Sequence, residues 1–210
     1  MNRARLFAVY KMPLLLMTVI IVLDQWTKKW AVGALAKPGG LYHDKLGWAN
    51  SPIRDGHVQI FDSWFWLRYA ENRAAAFSLT QSIPEWFRMP MLITVSILAV
   101  AGVLWWLWKL GTDHPLLRVA LGLVLGGAIG NLIDRVTLGY VIDFIDWHLR
   151  GYNAAWTFPT FNIADSAVVC GGALILIFGG KAEEKTASIA PGEDDSDPPS
   201  EDEAFTEGAT

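Results

Sequence analysis

Carboxylates, carboxamides and cations recur in this chain beside apolar runs: Asp24 with Lys28, Asn131 with Asp134 and Arg135, Asp143, and Asn162 with Asp165. A charge near the middle of a bilayer costs on the order of 3 kcal/mol or more, so polar groups inside such runs need a stated reason. Taken singly, each has a structural one. Asp24 and Lys28 stand four apart on one helix face and can form a local ion pair. Arg135 near a helix C-terminus suits the negative dipole end, and Asp134 can pair with it or with a neighbour. Asn162 followed by Asp165 fits an N-cap and a capping box, while Asp143 and Asp146 fit interfacial polar residues.

Jointly they point to chemistry. If the third and fourth apolar helices are neighbours, Asp143 just past one and Asp165 at the start of the other reach the same membrane level. Two carboxylates a few ångströms apart cannot both ionise readily, so the pair shares a proton. The ionised member can then take a proton from water while its partner protonates a carbonyl, which is general acid-base peptide hydrolysis without a covalent intermediate. Other schemes have less behind them. There is no G-x-S-x-G elbow and no H-E-x-x-H, and Ser78 or Ser166 with Lys28 has no spacing argument. Single Cys170 forms no intramolecular disulfide, and His43, His57, His114 and His148 lack ligand spacing, so neither metal nor other cofactor is expected.

The elements that must position these groups are membrane helices. The chain is 52% apolar and 18% charged, with a mean hydropathy of +0.29. Four stretches approach the roughly 20 apolar residues needed to span a bilayer, at about 12–30, 89–108, 116–133 and 163–179. The first follows Arg3, Arg5 and Lys11 like a secretory signal, but Asp24, Lys28 and Lys29 precede the cleavage-like Ala34-Leu35-Ala36, so it reads as a retained helix. In the loop over about 31–88, "HVQIF" and "WFWLRYA" flank Asp62-Ser63 and suggest a β-hairpin, the alternative being an irregular loop. Gly122, Gly126 and Gly130 recur every fourth residue, a spacing that lets helix backbones approach closely. Tryptophans near the span ends, among them Trp26, Trp30, Trp86 and Trp105, read as interfacial belts.

The formal net charge of −4 divides unevenly: residues 181–210 carry a balance of −8 and leave +4 for residues 1–180. That acidic, Pro- and Gly-rich tail reads as disordered. Arg3, Arg5 and Lys11, with Lys109 and Arg118, place both termini in the cytoplasm after four spans, although Lys37, Lys45 and Arg54 in the long loop weaken the bias. The expected fold class is an all-α polytopic membrane protein of four transmembrane helices with a small extracytoplasmic β-rich element.

"DQWTK" at 24–28, "NRAAAFS" at 72–78, "GNLIDR" at 130–135, "VIDF" at 141–144 and "FNIADS" at 161–166, in that order, resemble the bacterial lipoprotein signal peptidase family, signal peptidase II. The resemblance implies an inner-membrane aspartic endopeptidase that cuts diacylglyceryl-modified prolipoproteins just before the lipid-bearing cysteine. It makes Asp143 and Asp165 the catalytic pair and lines the site with Asn72, Asn131, Arg135 and Asn162. Asp24 and Lys28 would lend polar support, and Asp134 would be structural. Ala74 stands where the family pattern has glycine, which puts the local loop geometry in question. The expected partners are lipid-modified prolipoproteins and membrane lipid, with no nucleic acid, and the expected state is a monomer. Two other readings stay open on the residues alone. One is a small proton- or cation-translocating subunit using Asp24, Asp143 and Asp165. The other is a scaffold in which every polar cluster is helix glue.

Overall fold

The computed structural model describes residues 3–36, 57–61, 64–73, 83–110, 114–147 and 158–187. Among the described residues, four helices and three strands follow in the order α1 (Arg3–Leu35), β1 (His57–Phe61), β2 (Phe65–Asn72), α2 (Glu85–Leu110), α3 (Pro115–Leu138), β3 (Val141–Trp147) and α4 (Ile163–Ala187). Segments Val9–Leu35, Trp86–Leu110 and Pro115–Leu138 are long and apolar enough to cross a membrane, and the apolar part of α4 is the shorter Ile163–Gly179. The helices overrun the expected spans. The loop expected over about 31–88 is shortened at both ends, since α1 runs to Leu35 and α2 begins at Glu85. The segment read as a disordered tail begins with helix, because α4 continues to Ala187. The rest of that tail, residues 37–56, the Asp62-Ser63 break and Ala74 lie outside the described residues.

Outward faces of the helices are apolar: Leu15 is 63% exposed, Leu98 65% and Leu176 86%. Surfaces of this kind are tolerable only against lipid. Helix α3 is central and touches the other three. Its face of Gly122, Gly126 and Gly130 lies against α1, where a Cβ on Gly122 would stand 2.9 Å from the Pro13 carbonyl oxygen and one on Gly126 2.7 Å from Ile20 Cβ. The four-residue glycine spacing is thus a helix-helix contact. Where lipid supplies no hydrophobic drive between helices, such close packing holds them together.

Pro13 lies inside α1 and has no N–H to give the Val9 carbonyl. Arg118, near the start of α3 and 8% exposed, donates to that oxygen from Nη2 at 2.7 Å and Nε at 3.1 Å. Around this contact Val9, Leu107, Leu121 and Leu125 form one apolar core at one end of the bundle.

The sheet sits at the other end. Its order is β1-β2-β3, with both pairings antiparallel, so "HVQIF" and most of "WFWLRYA" do form the expected hairpin. The third strand was not anticipated. It follows α3 directly because Gly139, at φ 77°, ends the helix in the left-handed region and donates its N–H to the Arg135 carbonyl. Ala31 and Leu35 of α1 pack on Tyr69, Ile142 and Phe144 and seat the sheet on the bundle. On the outer edge of β3, Phe161 exchanges main-chain hydrogen bonds with Ile145 at 2.9 and 3.0 Å, so the chain enters α4 beside the strand. Asp143 and Asp146, which taken singly could be read as interfacial polar residues, are buried at 2% and 0% exposure.

Candidate active site

Lys28 is the centre of the polar network. Its ammonium is buried, 1% exposed, and Nζ lies 2.8 Å from Asp24 Oδ2, 2.9 Å from Asp134 Oδ2 and 2.9 Å from Asn131 Oδ1. Three acceptors match the three ammonium protons, the condition for keeping this charge out of water. The Asp24–Lys28 pair stands as its helical spacing indicated. Asp134 pairs with Lys28 and not with Arg135. Its carboxylate also accepts from Gln25 Nε2 at 2.8 Å and from the Ile142 N–H at 3.1 Å, joining α1, α3 and β3.

Asp24 also ties α1 to α4 by accepting the Ala164 N–H at 3.0 Å. That N–H belongs to the first turn of α4, whose donors have no partner within the helix. The approach requires Gly130, since a Cβ there would stand 2.7 Å from Asp24 Oδ2.

Asn162 is fully buried at the N-terminus of α4. Its Oδ1 accepts the Asp165 N–H at 2.9 Å, and Asp165 Oδ2 accepts the Asn162 N–H at 3.2 Å, the reciprocal capping box expected from the sequence. Nδ2 of the same residue donates to Asp143 Oδ1 at 2.7 Å and stands 3.1 Å from Asn131 Oδ1 and 3.2 Å from the Ile142 carbonyl oxygen. Asn131 Nδ2 donates to Asp165 Oδ1 at 2.8 Å. A single asparagine therefore bridges the carboxylates, by its side chain to Asp143 and by its backbone to Asp165.

Asn72 Nδ2 donates to Asp143 Oδ2 at 2.9 Å. The pairing register explains how it reaches. Between Leu67 and Ala70 strand β2 carries one residue more than β3, so Ala70 stands opposite Asp143 and Asn72 opposite Val141. Without that bulge the alternation of side chains would turn Glu71 instead of Asn72 toward the face of Asp143.

Arg135 is half-buried. Among the described residues its guanidinium forms no hydrogen bond or ion pair at contact distance, and its electrostatic neighbours are Asp165, Asp143 and Asp134. Burial holds the Asp143 carboxyl well above the ordinary carboxylate range, and the adjacent Asp165 carboxylate pushes it further the same way. Hydrogen bonds from Asn72 and Asn162 and the charge of Lys28 oppose the rise.

The structure thus links Asp24, Lys28, Asn72, Asn131, Asp143, Asn162 and Asp165 by hydrogen bonds and sets Arg135 beside them. Sequence reasoning gave Gln25 no role, although it lies inside "DQWTK", and took Asp134 as structural, paired with Arg135 or another neighbour; that neighbour is Lys28. Nor did it see that Asp146 pairs with Arg68, Nε to Oδ2 at 2.7 Å. Residues far apart in sequence make these contacts, so only the pattern of acids in "VIDFIDW" signalled them. Among the described residues, no group of three or more His, Cys, Asp or Glu side chains could hold a metal ion.

A helical bundle with lipid-facing sides and, at one end, a linked pair of carboxylates, one buried and one half-buried, defines a membrane protein with the equipment for acid-base chemistry. Comparison with known proteins sharpens the class. Residues 16–179 match the family model for signal peptidase (SPase) II. The lipoprotein signal peptidase of Anaeromyxobacter sp. (strain Fw109-5) is 36% identical over 92% of this chain and 97% of its own length. That of Symbiobacterium thermophilum is 37% identical over 79% and 92%. Two solved bacterial membrane enzymes superpose with TM-scores of 0.61 and 0.58, at 26% and 27% identity, over 86% and 79% of this chain and 93% and 90% of theirs. The chain belongs to the signal peptidase II family.

Proposed function

We propose that this protein is an aspartic endopeptidase of the bacterial inner membrane that removes the signal peptide from diacylglyceryl-modified prolipoproteins, cutting just before the lipid-bearing cysteine. The observation that carries the reading is the bridging of Asp143 and Asp165 by Asn162, with Arg135 and Lys28 supplying nearby positive charge. One proton is shared by the pair. The ionised carboxylate takes a proton from a water molecule, whose oxygen attacks the scissile carbonyl carbon. The other carboxyl gives its proton to the carbonyl oxygen. Collapse of the tetrahedral intermediate breaks the C–N bond: the proton taken from water passes to the leaving amine of the cysteine, and one hydroxyl of the intermediate returns its proton to the other carboxylate as the new carboxyl group forms, which restores the shared proton of the pair. Asn72 and Asn162 hold the Asp143 oxygens in place, and Asn131 holds Asp165. Arg135 has donors to spare for the charge that develops on the carbonyl oxygen.

Four spans fit the bundle. The apolar part of α4, Ile163–Gly179, is about 26 Å long at about 1.5 Å per residue, close to a bilayer core. The positive residues of the N-terminus put both termini in the cytoplasm and the sheet outside. In that orientation the acyl chains of the substrate stay in hydrocarbon while the scissile bond reaches the polar end of the bundle. A proton- or cation-translocating subunit is not favoured, since the chain belongs to a peptidase family and its buried charges gather at one end.

The test is cleavage of a purified diacylglyceryl-modified prolipoprotein by the wild type, Asp143→Asn and Asp165→Asn, each reconstituted and checked for folding. Loss of cleavage by about 1,000-fold or more in both variants is expected, in keeping with the joint action of an acid-base pair. Near-wild-type turnover in either variant would return that aspartate to a structural role.

A further inference from the structure

Arg68 and Thr160 lie outside the network described above, yet they connect the sheet to the residue that bridges the two aspartates. Arg68 Nη2 donates to Thr160 Oγ1 at 2.9 Å, with Nε at 3.3 Å from the same oxygen. Nε also lies 2.7 Å from Asp146 Oδ2, in a pair whose side chains are 20% and 0% exposed. Arg68 falls in the irregular stretch of β2 between Leu67 and Ala70, and such bulges re-aim side chains. Asp146 is three residues beyond Asp143 on β3, so the two point to opposite faces of the sheet.

We propose that Arg68 and Thr160 are positioning residues for the cleavage reaction, holding the segment that enters α4 so that Asn162 stays seated between Asp143 and Asp165. The inference rests on the reading of that pair as the catalytic dyad. Three successive residues carry it. Thr160 is fixed to the middle strand through the Arg68 guanidinium, Phe161 is fixed to β3 by main-chain bonds, and Asn162 then reaches both carboxylates. A guanidinium suits the task because it is planar and presents several donors at fixed angles, so the ion pair with Asp146 also sets the direction of Nη2. The main-chain bonds of Phe161 hold the strand edge, and the Thr160 contact fixes how the chain arrives at that edge, two residues before Asn162.

The experiment compares steady-state cleavage of a diacylglyceryl-modified prolipoprotein by wild type, Thr160→Val, Thr160→Ser and Arg68→Lys, with Asp143→Asn alongside. Thr160→Val keeps the Arg68–Asp146 pair and removes only the hydroxyl. The expected result is a fall in kcat of about tenfold with KM within about twofold, since small displacements of catalytic groups are felt mainly in the chemical step. The acid limb of the kcat profile moves to higher pH, because a displaced Asn162 donates less well to the Asp143 carboxylate. Thr160→Ser restores both readouts. Arg68→Lys behaves like Thr160→Val, a single ammonium being unable to serve Asp146 and Thr160 together, and it decides the matter if Thr160→Val does not fold. Wild-type kcat and pH profile in Thr160→Val, beside an inactive Asp143→Asn, would overturn the positioning role alone. Equal impairment of the Val and Ser variants would also overturn it, by tracing the loss to packing. An active Asp143→Asn would overturn both the dyad and this inference.

Discussion

Asp143 is held between opposed demands: it is buried beside another carboxylate, while hydrogen bonds from Asn72 and Asn162 and the charge of Lys28 favour its ionised form. Burial and Asp165 win, so its carboxyl stays well above the usual range. The native state therefore binds this proton more tightly than the unfolded chain. Stability from the group is fully present below the ordinary carboxylate pKa of about 3.9 and is lost as pH rises through the raised value. Asp143→Asn cannot ionise, so at pH 7 it should melt at a higher temperature than the wild type, and the gap should close on acidification toward pH 4. Thermal unfolding in detergent at both pH values checks this; a variant less stable at pH 7 would show that the hydrogen bonds from Asn72 and Asn162 outweigh the burial. Lys28 presents the reverse case. Removing its ammonium in Lys28→Met leaves Asp24 and Asp134 buried without their cation, a change expected to cost about 3–5 kcal/mol. Lys28→Arg should not rescue it, because a planar guanidinium cannot point donors at the three acceptors that surround Nζ.

At the scale of elements, the contacts between helices turn on two small details of α3. Gly130 admits the Asp24 carboxylate, and in Gly130→Ala the added methyl would meet Oδ2 at 2.7 Å. The expected cost is about 1–3 kcal/mol, together with lowered activity, since Asp24 holds both Lys28 and the first turn of α4. Arg118 answers the carbonyl that Pro13 leaves open in α1. Arg118→Met should cost about 1–3 kcal/mol by orphaning that buried oxygen. In a Pro13→Ala background the restored N–H can satisfy Val9, so the same substitution should cost less. A double-mutant cycle with a coupling of about 1 kcal/mol or more supports the pairing, and additive effects would show that Arg118 acts elsewhere.

At the scale of the whole molecule, α3 organises the bundle and its two ends do different work. One end is an apolar core around Leu107, Leu121 and Leu125, and the other carries the sheet and the polar network. The proposed orientation puts the second end outside the cytoplasm. A reporter that fluoresces only in the cytoplasm, fused after Thr210, should be bright, and a periplasmic phosphatase at the same place should be inactive. The opposite pattern would reverse the topology.

Much of this was legible in the sequence because local rules govern it. Apolar runs mark helices, four-residue spacing predicts the Asp24–Lys28 pair and the glycine face, and Asn162 with Asp165 spells a capping box whose partners lie within one turn. The hairpin was legible for the same reason, its strands being adjacent in the chain. Strand β3 was not, since a short β-branched run after a helix becomes a strand only when another strand stands beside it. Whether Asn72 or Glu71 meets Asp143 depends on a single-residue bulge, and a one-residue slip exchanges the faces of a strand. The sequence by itself determined the membrane class, the helices and the identities of the polar residues, because hydrophobicity and helical spacing act over a few neighbouring positions. Only the tertiary structure decided that Asn162 bridges the aspartates, that Asp134 serves Lys28 and that Arg68 reaches Thr160, because each of those contacts joins groups that chain spacing leaves free to lie anywhere.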